Sequence, residues 1–139
     1  MTENADFWHS YWEDRVALHT TYFLEWAEAY AEEYDALAAE HDNLIAGLSN
    51  AYEGERCEEL VDFASFLCRP ERGYLGLRGY WSEMELHLRR AIQAAQRIEF
   101  WDDAAALQQN LAVLYMKHGQ AEQAKNLCYE ALSIFQKQK

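Results

Sequence analysis

The sequence predicts an all-α protein, built from helical hairpins that stack on one another. Half of the 139 residues are hydrophobic, and the chain holds one proline and six glycines, a composition that favours long helices. Apolar residues recur at helical spacing along most of the chain, and no segment alternates as a β-strand does. Two stretches that begin at Gly79 and Gly119 also share one apolar pattern. We therefore expect one domain over residues 1–139, with about three hairpins and six helices.

The first predicted hairpin covers residues 6–53. Nine aromatic residues keep helical spacing from Phe7 to Tyr34, with no glycine or proline to interrupt them. We expect two helices that part near residues 31–36. One very long helix is the alternative, but its stripe would need an equally long partner.

The second predicted hairpin covers residues 55–98. An apolar stripe at residues 60–68 marks its first helix, which Pro70 and Gly73 should stop or kink. A second stripe marks a helix over roughly residues 82–98.

The third predicted hairpin covers residues 102–137, and its two helices turn back at Gly119. Its stripes lie at residues 107–115 and 124–135. One amphipathic helix cannot bury its stripe alone, so each hairpin is expected to cover the next.

Acidic residues are concentrated in the first part of the chain. Residues 1–62 hold sixteen acidic and two basic side chains, whereas residues 63–139 hold eight acidic and ten basic ones. An acidic surface repels phosphate backbones, so nucleic acid is not expected as a partner. A solvated surface is the simplest interpretation of this charge, and a patch for a basic partner is the alternative.

The sequence also argues against a membrane protein and a disulfide-rich one. No uncharged run is long enough to cross a bilayer, and the first residues lack the order of a secretion signal. We expect a cytoplasmic protein. The three cysteines are odd in number and include no C-x-x-C pair, so we interpret them as reduced core residues. They are Cys57, Cys68 and Cys128.

No pattern of residues predicts a catalytic, cofactor-binding or metal-binding site. His9 with Glu13, and Glu83 with His87, are spaced as two ligands on one helix face, but a third ligand is missing in each case. No cysteine stands beside a base, as a nucleophile requires. We therefore expect a non-enzymatic protein without a cofactor, and we interpret the EHDN segment at residues 40–43 as structural.

The stretch NLAVLYMKHGQAEQAKNLCYEALSIF, at residues 110–135, resembles a tetratricopeptide repeat (TPR). The matching positions are Leu111, Ala112, Tyr115, Gly119, Ala124, Ala131 and Leu132. The stretch RGYWSEMELHLRRAI, at residues 78–92, resembles the second half of the same repeat. The resemblance implies a right-handed α-α superhelix that binds extended peptides in the groove lined by the first helix of each hairpin.

A second resemblance covers most of the chain. HTTYFLEWAEAY, EHDNLIAGL and RGYWSEMELHLRRAI follow one another from residue 19 to residue 92. In this order they resemble the helical region that follows the ATPase module in bacterial STAND (NB-ARC-type) signalling ATPases and related transcriptional regulators. This resemblance implies a sensor or assembly module of a signalling system. The chain has no G-x-x-x-x-G-K-[ST] loop, so no nucleotide chemistry is implied.

Two sets of surface residues are candidates for binding. The candidate partner-binding groove consists of Gln109, Val113, Met116 and Lys117, with Arg72 and Arg78 near the preceding hairpin. The aromatic residues of FWHSYW are too many for one helix stripe to bury, so some cap the stack or contact another chain. The last helix also keeps apolar residues that no further helix covers. The candidate self-association residues are Phe7, Trp8, Trp12, Leu127 and Phe135.

We therefore predict a non-enzymatic helical scaffold that binds protein or peptide and is able to form a homo-oligomer. The alternative is a small-molecule effector domain, with its pocket inside the curved stack.

Overall fold

A computed structural model describes residues 2–137, and within this range the chain forms eight helices and no β-strand. The predicted all-α class is therefore confirmed. The helices are α1 (Thr2–Ala29), α2 (Tyr34–Ala39), α3 (His41–Glu53), α4 (Cys57–Leu67), α5 (Tyr74–Leu77), α6 (Trp81–Arg97), α7 (Trp101–Lys117) and α8 (Ala121–Lys137).

Two of the eight helices are additions to the six that the sequence predicts. α2 has six residues and is separated from α3 by Glu40 alone. α5 has four residues and follows an interruption at residues 68–73, which contains Pro70. The first break falls at residues 30–33, at the near edge of the predicted region, so the chain does not form one very long helix.

The long helices pack in pairs along the chain. α1 contacts α3, α4 contacts α6, and α7 contacts α8. The pairs also contact one another, most extensively between α6 and α7. Further contacts join α1 to α4, α3 to α4, α4 to α7, and α3 to α6. The helices α1, α4 and α7 therefore share one layer, and each amphipathic helix buries its stripe against its neighbours.

One kind of tight turn closes four of the helices. In each turn a backbone amide donates to the carbonyl five residues earlier, as in a Schellman motif, at 2.8 to 3.0 Å. The donor and acceptor pairs are Arg56 and Ala51, Tyr80 and Leu75, Phe100 and Ala95, and Gln120 and Tyr115. The residue before each donor has a positive φ, and these residues are Glu55, Gly79, Glu99 and Gly119. Glycine adopts this conformation freely, whereas the two glutamates are strained in it.

The three cysteines differ in environment. Cys68 is buried, and burial raises the pKa of its thiol. Cys57 is half-buried and Cys128 is exposed. The prediction of three core thiols is therefore wrong for Cys128, because α8 packs against α7 while no other described helix covers its outer face.

Candidate functional site

The predicted groove residues of the last hairpin lie on one exposed stretch of α7. Gln109, Val113 and Met116 are exposed. The Lys117 ammonium donates to the Pro70 carbonyl oxygen across 3.5 Å, which joins the end of α7 to the connection after α4. The stretch thus offers two apolar side chains and one amide, beside a cation that already contacts backbone.

The two predicted groove arginines form contacts of their own. The Arg72 Nη2 atom lies 3.5 Å from Glu32 Oε1, and the Arg78 Nη2 atom lies 2.7 Å from Asp35 Oδ1. Glu32 lies between α1 and α2, and Asp35 lies in the first turn of α2. Arg72 precedes α5 and Arg78 follows it, so the two ion pairs join the start of α2 to both ends of α5. Arg72 and Arg78 are thus engaged at the α1–α2 connection and do not present unpaired cations to the α7 stretch.

A set of carboxylates that sequence reasoning missed lies where α1, α4 and α7 share a layer. Asp62 of α4 is half-buried, and its burial and the nearby carboxylates of Glu28, Glu58 and Asp103 raise its pKa. Glu28 belongs to α1 and Asp103 to α7, so carboxylates of three helices act on Asp62. These four residues are termed the acidic face. The excess of acidic residues in residues 1–62 signals three of the four, and Asp103 lies outside that part of the sequence.

The acidic face holds no counterion from the described part of the chain. None of its four carboxylates forms an ion pair there. The neighbouring Glu59 differs, because it pairs with Arg56 and accepts a hydrogen bond from Thr21 Oγ1 at 2.9 Å. Glu59 thus anchors α4 to α1, while the acidic face keeps its negative charge.

An open depression of about 380 Å³ lies beside the acidic face. It is lined by Arg56, Cys57, Glu58, Glu59 and Asp62. Carboxylates held close together repel one another, and a cation placed among them relieves that repulsion. Arg56 pairs with Glu59 on one side of the depression, so a lysine or arginine side chain of a partner would be placed against Glu58 and Asp62.

The EHDN segment joins α3 to three other helices. The His41 Nδ1 atom lies 2.9 Å from the Tyr74 hydroxyl of α5, and its Nε2 atom lies 3.4 Å from a carboxylate oxygen of Glu83 in α6. The Asn43 amide oxygen lies 3.3 Å from the His19 Nε2 atom of α1. These contacts agree with the structural interpretation of the segment.

The two histidine pairs with ligand-like spacing lie in different surroundings. The His9 Nε2 atom contacts Glu13 Oε1 at 2.9 Å, and both side chains are exposed. Glu83 instead contacts His41, and His87 is buried. The side chains of the second pair therefore do not approach a common metal position. Within residues 2–137, no group of three or more histidine, cysteine or acidic residues could hold a metal ion.

The candidate self-association residues lie at the two ends of the helix stack. Phe7, Trp8 and Trp12 expose 60%, 53% and 61% of their surface, so they do not cap the core. They are exposed because α1 extends beyond its neighbour: α1 has 28 residues, whereas α3 has 13 and ends before it can cover the first turns of α1. At the other end, Leu127 is half-buried against the core and Phe135 is exposed.

Among the described residues, no helix combines the length and the apolar character that crossing a membrane requires. Comparisons of the chain with models of protein families, with curated proteins and with solved structures find no match.

Proposed function

We propose that this protein is a non-enzymatic, TPR-like scaffold that binds a basic peptide segment of a partner protein on its acidic face. The resemblance of its sequence to the helical region of STAND-type ATPases supports a role as a sensor or assembly module of a cytoplasmic signalling system. Its six long helices would form the three hairpins of a right-handed superhelix, with α2 and α5 as short insertions.

The order of helix contacts supports a repeat architecture. The pairs α1 with α3, α4 with α6, and α7 with α8 follow one another along the chain. The first helices of the three pairs touch in sequence, which is the arrangement that lines a peptide groove in helical repeats.

The acidic face is the observation that supports a basic peptide as the partner. Its four carboxylates come from the first helix of all three pairs, and no described cation neutralises them. A lysine-rich or arginine-rich segment laid across α1, α4 and α7 would bring cations to each of them in turn. Such attraction accelerates association and weakens as salt screens the charges.

Titration with a fluorescent lysine-rich peptide tests this proposal. We expect binding that weakens steeply with added salt and falls several-fold in the double variant Glu58→Gln and Asp62→Asn. The matched control is Asp42→Asn, because Asp42 is an exposed carboxylate on α3, outside the shared layer. Equal binding by the wild type and the double variant would remove the acidic face as the site.

The small-molecule alternative has one supporting observation. A depression of about 390 Å³ lies between the end of α3, the start of α4 and α6, and its lining includes Cys57 and Arg97. The Arg90 guanidinium lies over the Tyr52 ring, 4.1 Å from its centre. The volume falls in the range of ligand sites. Glu53 and Glu55 also line the depression and Arg97 pairs with Glu55, so Arg90 is the arginine that suits an anion. Thermal stabilisation by anionic metabolites that Arg90→Gln abolishes, with no response to peptides, would favour this alternative.

A further inference from the structure

The outer side of α1 carries a stripe with the spacing of a coiled coil. Trp8, Tyr11, Arg15, Leu18 and Tyr22 follow one another at alternating intervals of three and four residues. This is the heptad spacing that keeps one face of a helix turned toward a parallel or antiparallel neighbour. These five residues are termed the α1 stripe.

No helix of the described chain covers the α1 stripe. Leu18 and Tyr22 expose 63% and 60% of their surface, although both lie where α1 is packed against the body of the protein. The inner side of the same helix is occupied, because Leu24 and Ala27 are buried and Thr21 bonds to Glu59 of α4. The stripe is thus a second apolar face on a helix whose first face is already used.

The single charge within the stripe is accommodated by an aromatic ring. The Arg15 guanidinium lies over the Tyr11 ring, 4.9 Å from its centre. A cation–π contact of this kind lowers the cost of placing the charge at an interface. The first part of α1 is otherwise acidic, since Asp6, Glu13 and Asp14 flank its rings.

The exposed surface matches what a stable interface needs. Trp8 and Tyr22 of the α1 stripe expose more than half of their area, and so do Phe7 and Trp12, which lie beside the stripe on the same helix. Together, four rings of this size expose about 500 Å². A standard interface buries about 800 Å² per partner, somewhat more than half of it apolar. The aromatic residues of α1 alone therefore supply about the apolar share of one side of such an interface.

We propose that a second copy of this chain covers the α1 stripe, with the two α1 helices antiparallel about a two-fold axis. Such an interface uses the same patch on both copies and closes after two chains. When the axis passes midway between Tyr11 and Arg15, Trp8 faces Leu18 of the second copy and Arg15 faces Tyr11 of the second copy. Trp8 then packs on an apolar side chain, and Arg15 lies on an aromatic ring. The acidic face stays outside this interface.

Two other candidates to cover the α1 stripe, a membrane surface and helix α8 of another copy, agree less well with its residues. Interfacial helices that bind lipid carry lysine and arginine on their polar face, whereas this part of α1 has an acidic excess. Pairing of α1 with α8 of another copy would join two different patches, and such a contact builds rings or open filaments and does not close after two chains.

Light scattering of the full chain over a wide range of concentrations tests the proposal. We expect a dimer that dissociates to half its mass on dilution. Leu18→Glu should weaken dimerisation by at least about tenfold, because it places a carboxylate at both ends of the paired stripe. Its circular dichroism and melting temperature at low concentration should match those of the monomeric wild type, since Leu18 is exposed.

Leu132→Glu is the matched control, because Leu132 is an exposed leucine on α8. It should leave the dimer intact. A wild type that stays monomeric at every concentration would overturn the proposal, and so would dissociation by Leu132→Glu instead of Leu18→Glu. Binding of the wild-type monomer to anionic lipid vesicles, lost in Leu18→Glu, would assign the stripe to membranes.

Discussion

The ring of Phe63 in α4 lies directly against the backbone of Gly47 in α3. A β-carbon added at Gly47 would be 2.7 Å from the Cζ atom of Phe63, closer than real β-carbons come to other atoms. Phe63 is fully buried, so its ring has little room to move away. The close approach of α3 and α4 therefore depends on the absence of a side chain at residue 47.

Gly47→Ala should destabilise the protein, although alanine is the better helix former. The gain in helix propensity is about 1 kcal/mol, whereas overpacking a core costs about 1 to 3 kcal/mol. We expect a net loss of about 1 kcal/mol in urea unfolding. In a Phe63→Leu background the same substitution should cost much less, because the smaller side chain leaves space. A Gly47→Ala variant as stable as the wild type would contradict this account.

Glu99→Gly should stabilise the protein by about 1 kcal/mol. Glu99 closes the turn between α6 and α7 with φ at 62°, a conformation that glycine adopts without strain. The side chain is exposed and forms no ion pair among the described residues, so little is lost with it. Thermal unfolding measures the change. Glu99→Ala is the control and should leave stability nearly unchanged, since alanine keeps the strain.

His87 should make the protein less stable as the pH falls below about 6.5. Its side chain is buried, and this burial and the nearby Arg90 lower its pKa from 6.5 to about 4. The unfolded chain therefore binds a proton at a pH where the folded protein does not, and protonation favours unfolding. The loss due to this residue should reach about 2 kcal/mol at pH 5, judged from the size of the shift.

His87→Leu should remove that part of the pH dependence. Within the described structure the Nδ1 atom of His87 has no hydrogen-bond partner, so an apolar side chain leaves no polar group unsatisfied. Urea unfolding of both proteins at several pH values tests this. Parallel stability curves for the two proteins would show that His87 is not the group responsible.

Asp62→Asn should slightly stabilise the protein at neutral pH. Burial and nearby carboxylates raise the pKa of Asp62, which means that the folded state disfavours its charged form. Removing the charge should therefore increase the free energy of unfolding, by less than about 1 kcal/mol because the site is partly solvated. The difference should vanish as the pH falls below 3.8, where the folded and unfolded wild type are both protonated. A destabilised variant would mean that the carboxylate has an unrecognised partner.

The second half of the fold was predictable from the sequence. The stripe that includes Met84, Leu88 and Ala91 is buried on α6 as expected, and the chain turns at Gly119 as expected. These features follow from local rules, because helical periodicity and glycine are visible in a short window of sequence.

The features that the sequence did not reveal depend on distant parts of the chain. The turns at Glu55 and Glu99 match those at the glycines, but a glutamate with a positive φ leaves no signature in sequence. The exposure of Phe7 and Trp8 depends on where α3 ends, which the aromatic spacing of α1 cannot indicate. The acidic face likewise forms only when Glu28, Asp62 and Asp103 meet across three helices.

The four repeated turns also provide a way to follow how the protein opens. In each turn one amide, that of Arg56, Tyr80, Phe100 or Gln120, donates to the carbonyl five residues earlier, and its exchange with deuterium requires this hydrogen bond to break. Each stacked hairpin contacts mainly its neighbours, so the stack can unfold one hairpin at a time from an end. α8 packs on one side only, and we expect the Gln120 amide to exchange first and the Phe100 amide later. The exchange rates of these four amides, measured by NMR, would then give the order in which the hairpins unfold.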